Sequence, residues 1–327
     1  MANLVPVSSI EAIAAAFERG DSDALRQGLV ALLGSPAAAT HLRALDAAGL
    51  LTRIIPELEP ARGTDQPHVH FLAVLAHSLE TVAGVAWLLA QIAGETPEDA
   101  PLPAGIRANP SLAYRSKFQP QLAEHFAGTV GRYPRAALFK LGALLHDNAK
   151  PQTLRRNPDG TVSFHEHQTI GGEVAAAVAQ RLGFDAAETR YIRTIVREHM
   201  RPGQLAILPE VTMRAVQRFF AATDDAGPDV LLHLLADHMA TRGPQLNVRS
   251  WIAQAQWIDA LLDVLWGEPA EITPPLANGN DLMRELGIPP GPQLGRLLAA
   301  IGEAQADGTI STRDEALALA RRLAERK

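Results

Sequence analysis

Residues 136–151 constrain this chain most. Ala136-Ala137-Leu138-Phe139 and Leu141-Gly142-Ala143-Leu144-Leu145 form an apolar run that reads as a buried helix, and the run ends on His146-Asp147. Pro151 then discourages further helix. Adjacent residues cannot share one line of a helix, but at a helix end an imidazole and a carboxylate can both turn toward one ion. Nitrogen plus oxygen ligands suit Mn, Fe, Co, Ni or Zn better than Ca. Lys150, three residues on, places a cation where a phosphate oxygen could be met. A His-Asp pair also occurs by chance, so the weight falls on the other histidines.

The bulk of the chain favours helices. Of 327 residues, 47% are hydrophobic but only 5% aromatic, and Ala and Leu dominate over β-branched residues. One large or two ordinary domains are expected. A formal charge of −6 argues against a nucleic-acid coat protein while leaving a local basic face open. The absence of cysteine excludes disulfides, thiolate metal sites and a cysteine nucleophile, and fits a cytoplasmic setting. Met1-Ala2-Asn3-Leu4-Val5-Pro6 does not read as a signal peptide, and Arg, His, Glu or Gly interrupts every apolar run before 18 residues, so no membrane span is expected.

In chain order, residues 8–34 read as two short amphipathic helices, capped by Ser8 or Ser9 and by Asp21 or Ser22. Ser35-Pro36 opens a third, and 54–67 is a connector. A long helix over about 68–92 puts His70, His77 and Glu80 near one face. Residues 93–120, rich in Pro, Gly, Ala and Asn, read as an active-site flap or a disordered insertion. A short helix is expected at 121–130. Asn157-Pro158-Asp159-Gly160 is a turn signal between two short extended arms, so 153–164 reads as a β-hairpin. Helices follow at about 171–182, 186–200, 211–222 and 229–239; the last carries His233 and Asp237, four apart on one face. Residues 247–267 form an amphipathic helix whose Trp251 and Trp257 suit packing. Thr273-Pro274-Pro275 reads as a linker to a helical tail at 276–327.

Six potential ligands fall in the order His77, His146-Asp147, His167, His199 and Asp237, and each of the last five lies near the end or inner face of a predicted helix. Four imidazoles and two carboxylates would hold two divalent ions with a carboxylate bridging, which is the equipment for activating water and clamping a phosphoryl group. The order H…HD…H…H…D resembles the HD-domain metal-dependent phosphohydrolases. Leu75-Ala76-His77-Ser78-Leu79-Glu80-Thr81 is similar to that family's opening histidine helix, and Leu144 to Pro151 to its HD-x-x-K-P signature. Phe164-His165-Glu166-His167 with Gly171 resembles its F-x-G-H-E-x-x-G segment, and Glu198 to Pro202 and Ala236 to Pro244 its later ligands. Residues 22–67, 280–295 and 303–316 resemble the corresponding regions of long bacterial tRNA nucleotidyltransferase/poly(A) polymerase proteins.

The resemblance implies an all-α HD bundle with one small hairpin, divided as a helical lead-in (1–67), the HD domain (68–245) and a helical C-terminal region (246–327). It implies hydrolysis of a nucleotide or RNA-end phosphate ester by metal-activated water. His77, His146, Asp147 and Asp237 would take one ion, and Asp147, His167 and His199 the other, with Mg the least suited metal. Lys150 would neutralise charge, and Arg155, Arg197, Arg201 and Arg242 would bind phosphate or ribose, tRNA being a possible partner. Three departures stand out. Asn148 replaces the usual apolar residue, and positions 166 and 168 are Glu and Gln instead of Gly and Glu, leaving His165 as a candidate substitute ligand and His233 as a weaker substitute for Asp237. No Gly-Ser or Gly-Gly element followed by Asp-x-Asp is present in these residues. The competing readings are a non-catalytic tRNA-binding module serving a separate nucleotidyltransferase head, favoured by the arginines at 181–218, a di-iron oxygenase, and a structural adaptor.

Overall fold

The computed structural model describes residues 10–67, 70–95, 102–208, 211–267, 276–289, 291–306 and 309–325. Two compact units meet the chain at Gly267: Met1–Gly267 and Glu268–Lys327. The first opens with α1 (Ile10–Glu18), α2 (Ser22–Gly34), α3 (Ala38–Ala47), α4 (Leu51–Ile54) and a 3-10 stretch at Pro56–Gly63. It continues with α5 (Val74–Ala93), α6 (Ala104–Ala108), α7 (Gln119–Ala127), α8 (Arg135–Leu145), α9 (Lys150–Thr153), α10 (His167–Arg181) and α11 (Ala186–Glu198). It ends with α12 (Arg201–Ala206), α13 (Met213–Thr223), α14 (Gly227–Arg242) and α15 (Val248–Trp266). The lead-in helices and α15 share one apolar core with the helices between them.

The hairpin forms as the sequence implies. β3 (Leu154–Arg156) pairs antiparallel with β4 (Val162–Phe164), Leu154 facing Phe164. Asp159 Oδ1 accepts from Thr161 N at 2.9 Å, and Gly160 turns the chain at φ +81°. A second pair, β1 (Thr129–Val130) with β2 (Tyr133–Pro134), lies where the sequence suggested the end of a helix, because Gly131 at φ +56° reverses the chain there.

α5 is the central helix. It is apolar around most of its surface, and a helix apolar all round belongs inside. Its length and composition would suffice to cross a membrane, but 83% of that window is buried within the fold. Burying each of its Leu, Ile or Val side chains contributes about 1.5–3 kcal/mol. It starts at Val74, later than the sequence suggested, because Ala73 is extended (φ −65°, ψ 161°). His70 therefore precedes the helix; His68 lies outside the described residues. Glu80 takes a separate task, accepting from Arg43 at 2.6 Å and from the backbone of Ala104.

Two glycines set the helix crossings. A Cβ on Gly142 of α8 would stand 2.8 Å from Ile195 Cγ2 of α11, and one on Gly84 of α5 would stand 3.1 Å from Ala236 Cα of α14. These contacts bring the backbones that carry the histidines within reach of one another.

Other expectations need correcting. Pro151 does not stop helix formation; it sits in the first turn of α9, where its missing N–H is no loss. α10 begins at His167, four residues early. Within 93–120, the described part is no flap: Tyr114, Leu112 and Phe118 are buried and Trp251 Nε1 donates to Ala113 O at 3.0 Å. Residues 96–101, the Ser8/Ser9 cap and the Thr273-Pro274-Pro275 linker lie outside the described residues. Asp21 does cap α2, accepting from Ala24 N at 3.0 Å.

Away from the histidines, Asp229 is fully buried and satisfied by Tyr191 Oη, by His125 Nε2 at 2.7 Å and by Arg135 Nη1 at 2.9 Å. Burial and then the Asp229 charge push the Tyr191 hydroxyl well above its ordinary range.

The second unit contains α16 (Gly279–Leu286), α17 (Pro292–Ala306) and α18 (Arg313–Glu325) around a small core with Leu282, Leu297, Ile301, Ala316 and Ala320. Asn278 and Asp281 form a capping box at the start of α16, and Arg313 Nη2 reaches Asp281 Oδ1 at 3.0 Å.

Candidate metal centre

Helix ends deliver most of the converging side chains. His146 and Asp147 follow the last turn of α8, His167 opens α10, and His199 caps α11. His77 lies in the first turns of α5 and Asp237 within α14. At the end of α8 the sequence neighbours His146 and Asp147 are free to face one point, with His146 Nε2 3.1 Å from Asp147 Oδ2.

The side chains form two groups. His77 Nε2 lies 3.3 Å from His146 Nε2 and 3.0 Å from Asp237 Oδ1. His167 Nε2 lies 3.3 Å from His199 Nε2. Asp147 stands between the groups. Its Oδ2 is 3.6 Å from His77 Nε2, while its Oδ1 is 3.5 Å from His167 Nε2 and 3.9 Å from His199 Nε2. Either group could hold a divalent ion.

Three backbone carbonyls fix the imidazoles. Nδ1 of His146, His167 and His199 meets the carbonyl three residues back: Ala143 at 2.8 Å, Phe164 at 2.7 Å and Val196 at 2.7 Å. A neutral ring that donates from Nδ1 keeps its lone pair on Nε2, the atom facing the centre. Burial, aided by His146, lowers His199 to about 3, and burial also lowers His167, so both rings are neutral. Burial works against charge on His146 as well, but neighbouring Asp147 raises it above its ordinary value. Burial would raise Asp147; His146 and Lys150 hold it well below the usual carboxylate range. Asp237 is likewise held low by His77 against its desolvation.

Lys150 Nζ stands 2.6 Å from Asp147 Oδ2, in a contact without hydrogen-bond geometry, and donates to Gln66 Oε1 at 2.6 Å. Asp147 Oδ2 is thus buried with no hydrogen-bond partner among the described residues. A carboxylate oxygen that faces two imidazole nitrogens beside the Lys150 ammonium, with no hydrogen bond of its own, offers a donor to a cation. The Asp237 side chain is 25% exposed, against 7% or less for the other four residues' ligand side chains and Asp147, so solvent reaches the centre from the Asp237 side.

Three further residues surround the centre, and of these Gln66 carried no signal in the sequence. Gln66 positions Lys150. His70 packs edge-on against His77, centroids 5.4 Å apart, and burial, then Lys150, lowers it to about 4. His233 is fully buried against His146 and His199, with both ring nitrogens lacking a hydrogen-bond partner among the described residues, yet it belongs to neither group; Asp237 fills the position for which His233 was the substitute. The His77–His70 spacing was visible; the extended Ala73 that bends His70 back was not. His165 is exposed and is corrected as a substitute ligand: Glu166, at φ +63°, turns the chain so that His167 points inward instead. None of Arg155, Arg197, Arg201 and Arg242 contacts a ligand side chain among the described residues. Arg155 and Arg242 are exposed. Arg197 lies 3.6 Å from Glu173, and Arg201 lies 3.0 Å from Glu198.

Residues 120–242 match the family described as HD domain, a span holding five of the six converging residues, and residues 271–320 match tRNA nucleotidyltransferase domain 2 putative. An A-adding tRNA nucleotidyltransferase of Deinococcus radiodurans is 32% identical over 302 residues, covering 92% of this chain and 58% of that protein. A CC-adding tRNA nucleotidyltransferase of Thermus thermophilus is 33% identical over 295 residues, covering 90% and 55%. A bifunctional uridylyltransferase/uridylyl-removing enzyme of Streptomyces coelicolor is 30% identical over 281 residues, covering 82% and 27%. The chain spans little more than half the length of the two tRNA nucleotidyltransferases. The chain thus carries an HD domain at residues 120–242, which holds five of the six converging residues, and a segment at 271–320 that matches tRNA nucleotidyltransferase domain 2 putative.

Proposed function

We propose that this chain hydrolyses a phosphate ester on a nucleotide or RNA end, using two divalent ions. The observation that carries the reading is the division of the Asp147 carboxylate, Oδ2 toward His77 and His146 and Oδ1 toward His167 and His199. His77, His146, Asp147 and Asp237 would hold one ion; Asp147, His167 and His199 would hold the other. Imidazole-rich donors suit Mn, Fe, Co, Ni or Zn, and Mg least. When bound, such ions activate water and neutralise charge on a phosphoryl group.

The chain's own residues do the rest. Lys150, steadied by Gln66, presents an ammonium to a non-bridging phosphate oxygen as charge builds there. Asp147 stays ionised because His146 and Lys150 hold it so. The ester end would enter beside Asp237, the most exposed of the six side chains. Arg155 and Arg242, exposed and without an ion pair among the described residues, are free to meet further phosphate or ribose groups; Arg197 and Arg201 would have to leave Glu173 and Glu198 to do so.

The names of the relatives support an RNA or nucleotide substrate, since two of them name tRNA and one includes removal of a uridylyl group. The same names favour a second reading, a tRNA-binding module. Arginine pairing weighs against it in part: Arg181, Arg193, Arg197 and Arg201 are engaged by Glu57, Glu173 and Glu198, while Arg190, Arg214 and Arg218 are exposed without an ion pair among the described residues. The assay is hydrolysis of 2′,3′-cyclic AMP and bis(p-nitrophenyl) phosphate by chelated protein, by protein with Mn²⁺ or Ni²⁺, and by Asp147→Ala. Metal-dependent turnover lost in the variant supports hydrolysis. Salt-dependent tRNA binding that survives chelation, with no turnover, favours the binding module. Iron-dependent oxygen consumption would mark an oxygenase.

A further inference from the structure

The first unit also holds a buried charge with no ion-pair partner among the described residues, remote from the histidines. Lys140 lies at the middle of α8 and is 3% exposed. Its Nζ donates to Ser35 O at 2.8 Å, and no carboxylate lies within ion-pair distance among the described residues. An ammonium has three donors, so two are left without an acceptor among the described residues. Buried charges are ordinarily paired. The cost is visible in the group itself, since burial pushes Lys140 down to about 8.

Beside Lys140 is an apolar cleft of about 240 Å³ between α5, α7, α8 and the end of α2. Ala86, Leu89, Ala90, Phe126 and Ala136 line it, and small side chains leave the space open. Gly34 and Pro36 also line it, and Ser35, whose carbonyl holds Nζ, lies between them, which puts the ammonium at that wall. Glu95 is the one acidic residue on the lining; it is exposed and beyond ion-pair distance of Nζ. An engineered apolar cavity of about 150 Å³ accepts benzene, so this cleft has room for a short alkyl chain. It is a separate site: Leu89 is about 18 Å along α5 from His77 at helical rise.

We propose that this cleft binds a monoanionic amphiphile, a medium-chain carboxylate whose head pairs with Lys140 and whose alkyl tail lies along Ala86, Leu89 and Phe126. The apolar walls take the tail, and the unpaired ammonium supplies the charge that makes the ligand an anion and not an alcohol or amine.

Calorimetric titration of the full chain with octanoate at pH 7 tests this, with 1-octanol as the uncharged probe. Two variants are used: Lys140→Met, which keeps the volume and removes the charge, and Ala123→Phe, which fills the cleft and keeps Lys140. Thermal melting establishes that both are folded. The expected result is saturable one-to-one octanoate binding, weakened about tenfold or more by Lys140→Met and abolished by Ala123→Phe, with 1-octanol bound weakly and equally by parent and Lys140→Met. If Lys140→Met does not fold, Ala123→Phe and the octanoate-to-octanol ratio decide the matter. No saturable octanoate binding, equal affinity in either folded variant, or equal affinity for octanol and octanoate would overturn the proposal.

Discussion

Gly142→Ala is a one-methyl perturbation of the metal centre that touches no ligand. The new Cβ would stand 2.8 Å from Ile195 Cγ2 and 2.9 Å from Ile195 Cβ. Ordinary contact begins at 3.4 Å, so α8 and α11 must separate by about 0.6 Å or more. Ile195 cannot step aside easily, because β-branched side chains in helices are stiff at χ1 and its Cβ is fixed to the backbone. His146 lies one turn beyond Gly142, and His199 one turn beyond Ile195, so the displacement falls between the two ligand groups. Sites of this kind tolerate about 0.5 Å. For stability, alanine's helix propensity gains about 1 kcal/mol and overpacking costs about 1–3 kcal/mol, giving a net loss of up to about 2 kcal/mol. For metal, we expect the second Mn²⁺ to bind about 10–100-fold more weakly. Calorimetric Mn²⁺ titration and urea unfolding of parent, Gly142→Ala and the control Gly34→Ala measure both effects; a Cβ at Gly34 meets nothing within 4 Å. A Gly142→Ala protein that binds two ions at parental affinity would refute the crossing argument.

Three further outcomes are expected. Asp147→Asn should lose both ions together, whereas His167→Ala should lose one and keep the other, as metal-to-protein ratios after desalting would show; loss of one ion in both variants contradicts the shared carboxylate. Lys140→Met should raise stability at pH 7 by about 1–2 kcal/mol: lowering the ammonium from 10.5 to about 8 costs the fold about 3 kcal/mol, and the lost Ser35 bond returns about 1–2. Because the folded-state value is depressed for a base, that cost is present below pH 8 and fades as pH rises from about 8 toward 10.5, so the gap between variant and parent should shrink between pH 7 and pH 10 in urea unfolding; a constant gap rules this out. Asp229→Asn leaves the buried Arg135 without its inner partner and should cost about 3–5 kcal/mol, read as a fall in urea midpoint, with a change under 1 kcal/mol counting against the network.

Much of the centre was legible because its residues sit where helices stop. Apolar periodicity marks α8, α11 and α14, and His146-Asp147 and His199 fall at the ends of two of them. The hairpin was legible because Asn157-Pro158-Asp159-Gly160 specifies its own turn. What stayed hidden depends on contacts distant in sequence. Gln66 meets Lys150 across 84 positions, and nothing in either neighbourhood announces the other. Four of the seven arginines of 181–218, Arg181, Arg193, Arg197 and Arg201, look like part of a basic face until Glu57, Glu173 and Glu198 are placed against them. His233 and Asp237 share a helical face, but depth along that face puts one carboxylate at the opening and leaves the imidazole sealed beneath. Residues 104–118 carry Pro, Gly and Asn like a loop, yet Tyr114 and Phe118 anchor them in the core.

The most direct measurement is the anomalous scattering of Mn²⁺ in crystals of the metal-loaded chain. The account predicts two sites sharing Asp147, one among His77, His146 and Asp237 and the other between His167 and His199. A single site, or manganese bound elsewhere with Asp147 still paired to Lys150, would contradict it.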